Sequence, residues 1–326
     1  MTAKQRELVS AILALALLFT LLQGAGFLLL PELDVSGTNW KSYQKEPEQS
    51  IQVLFVGSSV VFCNISPAVI YRESGITSYL IAGPEQSMPV SYYYIREACK
   101  TQKPDAIFVE LKGLFFPQYG DYTVANLVFL PRGVNRFEAM IKTARREDLP
   151  GLLFPVLDYH ERWNDLTLGE LRERLKPAQV SSNAGYMPLY SLQEQREINS
   201  FHPDGEYIAE CVRYLRKIDA YCTENGIALY LFFAPVTNTV DKDTKDWIAA
   251  LTQELKIAGY FDFSTEESFR SIGLKLDSDW SDDLHLNTSG AEQFSIFLGR
   301  FLLDKGIPSN KTADQILWRL RVEDFE

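Results

Sequence analysis

The chain has 326 residues, 46% of them hydrophobic and 23% charged, with a formal net charge of −11 at pH 7. These proportions suit a globular protein with a core of normal size and exclude disordered, collagenous and repeat-array classes. The acidic balance argues against a nucleic-acid partner, because a phosphate backbone needs a basic face; solubility is reason enough for it.

Leu8 to Leu30 reads LVSAILALALLFTLLQGAGFLLL, without one charged residue. A hydrocarbon core about 30 Å thick takes about 20 helical residues, so this stretch can span a bilayer. Lys4 and Arg6 precede it and Glu32 and Asp34 follow it, which by the positive-inside rule puts the amino end in the cytoplasm. A cleaved signal peptide would have a shorter apolar region and a small-x-small cleavage site, which does not end this stretch. The expectation is a single-pass protein of the cytoplasmic membrane, with residues 1–31 as anchor and an extracytoplasmic carboxyl-terminal domain.

Residues 32–50 are polar and lack an apolar period, which reads as a linker. The domain then occupies 51–326. Ile51–Val56 is a short apolar run closed by Gly57-Ser58-Ser59, the pattern of a buried parallel strand and a tight turn. Thr77–Ala82, closed by Gly83, and Ala106–Leu111 repeat the pattern, with a helix around Val90–Thr101 between them. Residues 113–200 are rich in aromatics and short helical patterns such as Arg136–Arg145 and Leu168–Leu175, and read as a lid-like insertion. Alternation resumes with a helix at Glu206–Asn225, a strand at Ala228–Phe233, a helix near Thr244–Ala258 and a strand near Tyr260–Phe263. A final helix runs from Ser289 to Lys305. Strands alternating with helices imply an α/β fold with a parallel sheet covered on both faces. Ligands bind such sheets at the carboxyl ends of the strands, which is where Ser58 and Ser59 fall.

The four cysteines, Cys63, Cys99, Cys211 and Cys222, show no C-x-x-C spacing. Cys211 and Cys222 fall on one predicted helix, about 16 Å apart along its axis, too far to pair. P-loop, H-E-x-x-H and EF-hand patterns are missing, so no metal or other cofactor is expected.

A serine hydroxyl attacks an acyl carbon only when a base takes its proton, and histidine is the side chain best matched to that task. His160, His202 and His285 are the three histidines. His202 reads as part of a turn before a helix. His285 lies in SDDLHLNTSG with Asp282 three residues before it, so one loop can hold both. There Asp282 would orient the imidazole while His285 Nε2 faces the serine. The plainer reading is a loop of surface acids with Asn287 or Thr288 capping the next helix.

With Gly57-Ser58-Ser59, Gly83 and Asp282 to His285 taken together, the chain resembles the SGNH (GDSL-type) hydrolase superfamily of esterases, lipases and acyltransferases. The resemblance implies a flavodoxin-like three-layer α/β/α sandwich, Ser59 as nucleophile, Asp282 as third triad member, and the amides of Ser59 and Gly83 in an oxyanion hole. More narrowly, it is similar to a membrane-anchored Gram-positive branch in its Ser91-Tyr92-Tyr93-Tyr94, Lys103-Pro104-Asp105 and Asp282–Asn287 segments. The family's aspartate before the nucleophile is Ser58 here. Its asparagine after the third strand, an oxyanion donor, is missing from Glu110-Leu111-Lys112-Gly113; Gln86, Lys112 and Asn287 are the candidate substitutes.

In the insertion, His160, Arg162 and Trp163 could line a substrate cleft, Trp163 stacking on a sugar and Arg162 binding an anion, or could instead pin the insertion in place. The reading is acyl transfer or hydrolysis at an ester of a cell-envelope glycan or other acylated polymer. A non-catalytic binding or assembly module with a membrane protein partner, and D-alanyl transfer to teichoic acid, are the alternatives.

Overall fold

The computed structural model describes residues 1–31, 38–117, 120–192, 197–203, 205–309 and 315–325. It opens with α1 (Ala3–Leu29), started by a Thr2/Gln5 capping box. This helix is long and apolar enough to cross a membrane, and little of it is buried. Glu32 and Asp34 lie outside the described residues. The later part of the segment read as a linker is built into the fold. In α2 (Trp40–Tyr43), Trp40 and Tyr43 are buried, and Tyr43 packs edge-on against Tyr79 with ring centroids 4.9 Å apart. Just before it, Thr38 N–H donates to Ala82 O at 2.7 Å.

The body starts with β1 (Val53–Gly57), α3 (Ser59–Asn64), α4 (Pro67–Ser74), β2 (Ser78–Ala82), α5 (Met88–Ala98) and β3 (Ala106–Glu110). A 3-10 turn, Leu111–Leu114, leads into the insertion. There the chain forms α6 (Asp121–Phe129), α7 (Val134–Thr143), α8 (Leu149–Leu153), α9 (Val156–Tyr159), a second 3-10 turn at His160–Asn164, and α10 (Leu168–Leu175). After it come β4 (Asn199–Phe201), α11 (Ile208–Asn225), β5 (Ala228–Phe233), β6 (Asn238–Val240) and α12 (Lys242–Thr252). The chain ends with β7 (Gly259–Asp262), α13 (Glu266–Ile272), α14 (Thr288–Asp304) and α15 (Gln315–Phe325).

The central sheet runs β2-β1-β3-β5-β7 with every pair parallel. Counted by its own strands this is 2-1-3-4-5, the flavodoxin-like order, and the chain switches direction across the sheet between β1 and β3. Strands covered on both faces must be apolar throughout, and all five residues of β1, β2 and β3 are buried. One apolar core lies under α5 and α11 and a second under α3, α4 and α14.

One expectation needs correction. The helix ending near Lys305 is not the last: α15 follows, with Trp318 stacked on Tyr71 at 5.1 Å and Arg321 paired with buried Glu46. The insertion shares the core of the domain. Its Leu127, Leu130, Ala139, Met140 and Leu152 are buried in the core with α5 and α11, and its returning chain offers Ala184 O to Leu80 N–H at 3.1 Å. A separate parallel pair, β4 with β6, has no counterpart in the sequence reading.

Candidate active site

Gly57 ends β1 against Glu110 at the end of β3. A Cβ on Gly57 would come within 2.7 Å of Glu110 Cβ, so only glycine lets the two strands close here. Ser58 takes extended backbone before α3, and Ser59 opens the first turn. The serine thus stands over the carboxyl ends of the strands, beside the switch point.

Asp282 and His285 arrive from the other end of the chain. A bridge between Trp280 and Leu286 pinches the intervening residues into a loop. Asp282 Oδ1 accepts the N–H groups of Leu284 at 2.8 Å and His285 at 3.0 Å. Its Oδ2 meets His285 Nδ1 at 2.8 Å, and His285 Nε2 meets Ser59 Oγ at 2.8 Å. A carboxylate only accepts, so Nδ1 carries the proton and Nε2 is left to accept from the serine hydroxyl. Partial burial pushes the Asp282 carboxyl up. The hydrogen bonds from the His285 ring and from the Leu284 and His285 amides outweigh it and hold the group below its ordinary value.

Sequence reasoning missed the residue that positions this loop. Asn64, at the end of α3 and fully buried, donates from Nδ2 to Pro235 O and Leu284 O, each at 3.1 Å. Its Oδ1 accepts Leu286 N–H at 2.9 Å. One amide therefore binds the residues on both sides of His285 to the helix that begins with Ser59.

The proposed oxyanion groups fare unevenly. Gly83 is beside the site, but its N–H donates to Gly57 O at 3.2 Å. Gln86 spends its Nε2 on Ile81 O at 3.3 Å and Ser91 Oγ at 3.0 Å, leaving only its carbonyl toward Gly83. Asn287 is the cap of α14, accepting from Gly290 N–H at 3.1 Å and donating to Ser278 O at 2.7 Å, so it is committed to the helix. Lys112 does belong here. Burial lowers its ammonium, while the charges of Glu110, Asp282 and Glu85 act in the opposite direction. Glu110, buried beneath Gly57, is pushed up to about 7 by burial, against the pull of the Lys112 and Ala234 amides and the Lys112 charge.

An amide that sequence reasoning did not single out, Asn126, stands beside Gly83. Asn126, in the middle of α6, presses against Gly83 so closely that a Cβ there would collide with its Oδ1. Its Nδ2 donates one hydrogen to Pro84 O at 3.0 Å, and its backbone carbonyl is held by Tyr94 O–H at 2.8 Å. The available signal was a lone asparagine inside an apolar helix, where its propensity is poor.

His160, Arg162 and Trp163 do not join this group. Arg162 donates to Leu29 O at 2.7 Å, at the end of α1, and pairs with Glu170 at 3.2 Å. His160 Nδ1 bonds Leu157 O at 3.0 Å, and Trp163 is exposed. The cluster fastens the insertion to α1, because a helix end leaves bare carbonyls that a guanidinium can satisfy. Burial pushes the thiols of Cys63, Cys99, Cys211 and Cys222 up, which makes them poor nucleophiles; all four are free. A cavity of about 560 Å³ lies elsewhere, between α4, α14 and α15, and none of Ser59, Asp282 and His285 lines it.

No family model matches the chain, and no curated protein matches it. Among solved structures it is similar to an acetyl xylan esterase (Est2A) from the rumen bacterium Butyrivibrio proteoclasticus, at 9% sequence identity and a TM-score of 0.36. The likeness covers 80% of this chain and 66% of that one, just under two-thirds of the esterase's length.

Proposed function

We propose that the chain is a membrane-anchored serine ester hydrolase or O-acyltransferase of the SGNH type, with its α/β domain outside the cytoplasmic membrane. The observation that carries this is the unbroken line Ser59 Oγ–His285 Nε2 and His285 Nδ1–Asp282 Oδ2, both 2.8 Å. In the first half-reaction His285 takes the Ser59 proton as Oγ bonds to the acyl carbon. The oxyanion draws on Ser59 N–H, an amide of the first helical turn without an intrahelical partner, and on the second N–H of Asn126. His285 then returns the proton to the leaving oxygen. Water or a sugar hydroxyl repeats the sequence on the acyl-Ser59 ester. Lys112 offsets the carboxylates of Glu110, Asp282 and Glu85 around the site. The substrate class fitting an anchored, outward-facing site is an ester on a cell-envelope glycan or related polymer.

A fluorophosphonate probe tests the reading, because it bonds only to an activated serine. Labelling of the wild-type protein that disappears in Ser59→Ala and in His285→Ala is expected. An unreactive wild-type protein would instead favour a non-catalytic binding module, the reading to which the engaged Gly83 N–H lends weight.

A further inference from the structure

Lys4, Arg6 and Glu7 set the inner limit of the apolar part of α1, since ionised groups are costly at hydrocarbon depth. A core about 30 Å thick needs about 20 helical residues, which carries it from Leu8 to about Phe27. Three contacts of the insertion fall within that span. Phe19 meets Phe154 edge-on with ring centroids 5.9 Å apart. Gln23 Nε2 donates to Leu153 O at 2.7 Å. Pro155 and Val156 press on Gly26, where an added Cβ would lie 3.2 Å from each. At 1.5 Å of rise per residue, Phe19 lies about 12 Å below Phe27, close to the middle of the bilayer.

The polar groups along this contact are arranged as hydrocarbon requires, where no backbone or amide group can rely on water. Gln23 is the one side-chain amide between Leu8 and Leu30, and it satisfies the free carbonyl that ends α8. Thr20 Oγ1 bonds Ala16 O at 2.8 Å within its own helix. Higher up, Arg162 holds Leu29 O, and Arg174 holds Phe27 O and Leu30 O, which sets both cations at the outer boundary. Along α1 the contacts run from Phe154 on Phe19 through Leu153 on Gln23 and Pro155 and Val156 on Gly26 to Arg162 on Leu29, while the Asp158 carboxylate lies against Gly151 of α8. Beside the contact, Leu153 is 40% and Leu157 53% exposed, and Trp163, next to Arg162, is 71% exposed. Tryptophan favours the headgroup level.

We propose that the tip formed by Leu153, Phe154 and Leu157 is immersed in the outer leaflet beside α1, with Trp163 at the headgroups. The occupant of this apolar face is lipid hydrocarbon, continuous with the lipid around the spanning helix. The domain then holds the membrane at two adjoining places, which fixes its rotation about α1 as well as its height. This inference rests on the reading of α1 as a membrane anchor.

The test uses the full chain in phosphatidylcholine–phosphatidylglycerol vesicles, with Cys99→Ser as background and one environment-sensitive fluorophore per protein. The label is placed at Leu157→Cys, at Leu15→Cys in α1, or at Ile316→Cys on α15, all exposed positions. The labels at 157 and 15 are expected to lose fluorescence to nitroxides on the lipid chains and to resist aqueous iodide. The label at 316 is expected to do the reverse. A label at 157 that behaves like the one at 316, while 15 is quenched from the lipid, overturns the immersion and leaves the anchor standing. A label at 15 open to iodide overturns the anchor and the immersion with it.

Discussion

Asn64 Oδ1 accepts the Leu286 N–H at 2.9 Å, joining the helix of Ser59 to the residue immediately after His285. Asn64→Ala would strand Leu286 N–H, Pro235 O and Leu284 O in a buried site. Each unpaired buried group costs about 1–3 kcal/mol, so a loss of at least about 2 kcal/mol in denaturant unfolding is expected. Because Asn64 acts through His285, kcat should fall with KM little changed in the protein that remains folded. A loss of stability alone would make the residue merely structural.

Ser59→Ala and His285→Ala should each lower kcat on acetylated model sugars by about 10⁴–10⁶, and Asp282→Asn by about 10⁴, because Asn favours the wrong imidazole tautomer. Paired removal of Ser59 and His285 should cost little more than either change alone, since they act as a unit. Full activity in Ser59→Ala would end the serine mechanism.

Asn126→Ala should reduce kcat by about 10²–10³ if its amide steadies the oxyanion. Its one hydrogen bond to Pro84 O limits the stability loss to about 1 kcal/mol. Asn126→Asp, nearly the same shape, should be at least as damaging, because a carboxylate opposes the developing charge. A lowered melting temperature with unchanged kcat would assign the residue to packing instead.

The parts of the site that were readable from sequence are those whose signal is local. Val53 to Gly57 announces a doubly covered strand by its unbroken apolar run, and the switch from strand to Gly-Ser-Ser locates the turn. Asp282 and His285 share one loop, and with three histidines in the chain few pairings needed weighing. Asn64 and Asn126 were illegible because their partners, Leu284 and Gly83, are remote in sequence and mostly backbone. Arg162, read both as a cleft residue and as a pin for the insertion, could not be assigned for the same reason: its partner is the carbonyl of Leu29, which no side-chain pattern encodes. α15 escaped notice because it turns Ile316 and Leu320 outward and buries an arginine, inverting the expected amphipathic code. Trp40 and Tyr43, lone aromatics in a polar stretch, gave too little period to mark a packed segment.

Glu110 gives stability a pH dependence of defined sign. Its carboxyl is pushed up to about 7 from 4.5, so between these values the folded chain binds more protons than the unfolded one. Its contribution is therefore complete below about 4.5 and is lost as pH rises through about 7, a change on the order of 3 kcal/mol. Comparing melts at about pH 5 and about pH 8, the wild type should lose more than Glu110→Gln. Parallel curves for the two proteins would refute the assignment.

Arg321 and Glu46 form a buried pair at 2.5 Å, and Arg321 also donates to Ser181 O from Nε at 3.0 Å. Burial raises the Glu46 carboxyl even though Arg321 lowers it. Arg321→Met should cost about 3–5 kcal/mol by leaving Glu46 uncompensated. The double variant with Glu46→Gln should recover much of that in urea titration. An equally unstable double variant would show that packing of the arginine stem is the larger effect.

Thr38, bonded to Ala82 next to Gly83, follows Leu30 by only eight positions. Even fully extended, such a length of chain reaches about 27 Å. If α1 spans the bilayer as proposed, the edge that carries Ser59 cannot work farther out than that tether allows. Under the proposed function, encounters then become a search in a thin shell over a surface, and turnover should follow the number of ester groups per unit of membrane area. On the proposed function, polymer displayed deeper in the envelope would be processed only while its esters are still close to where the chain emerges.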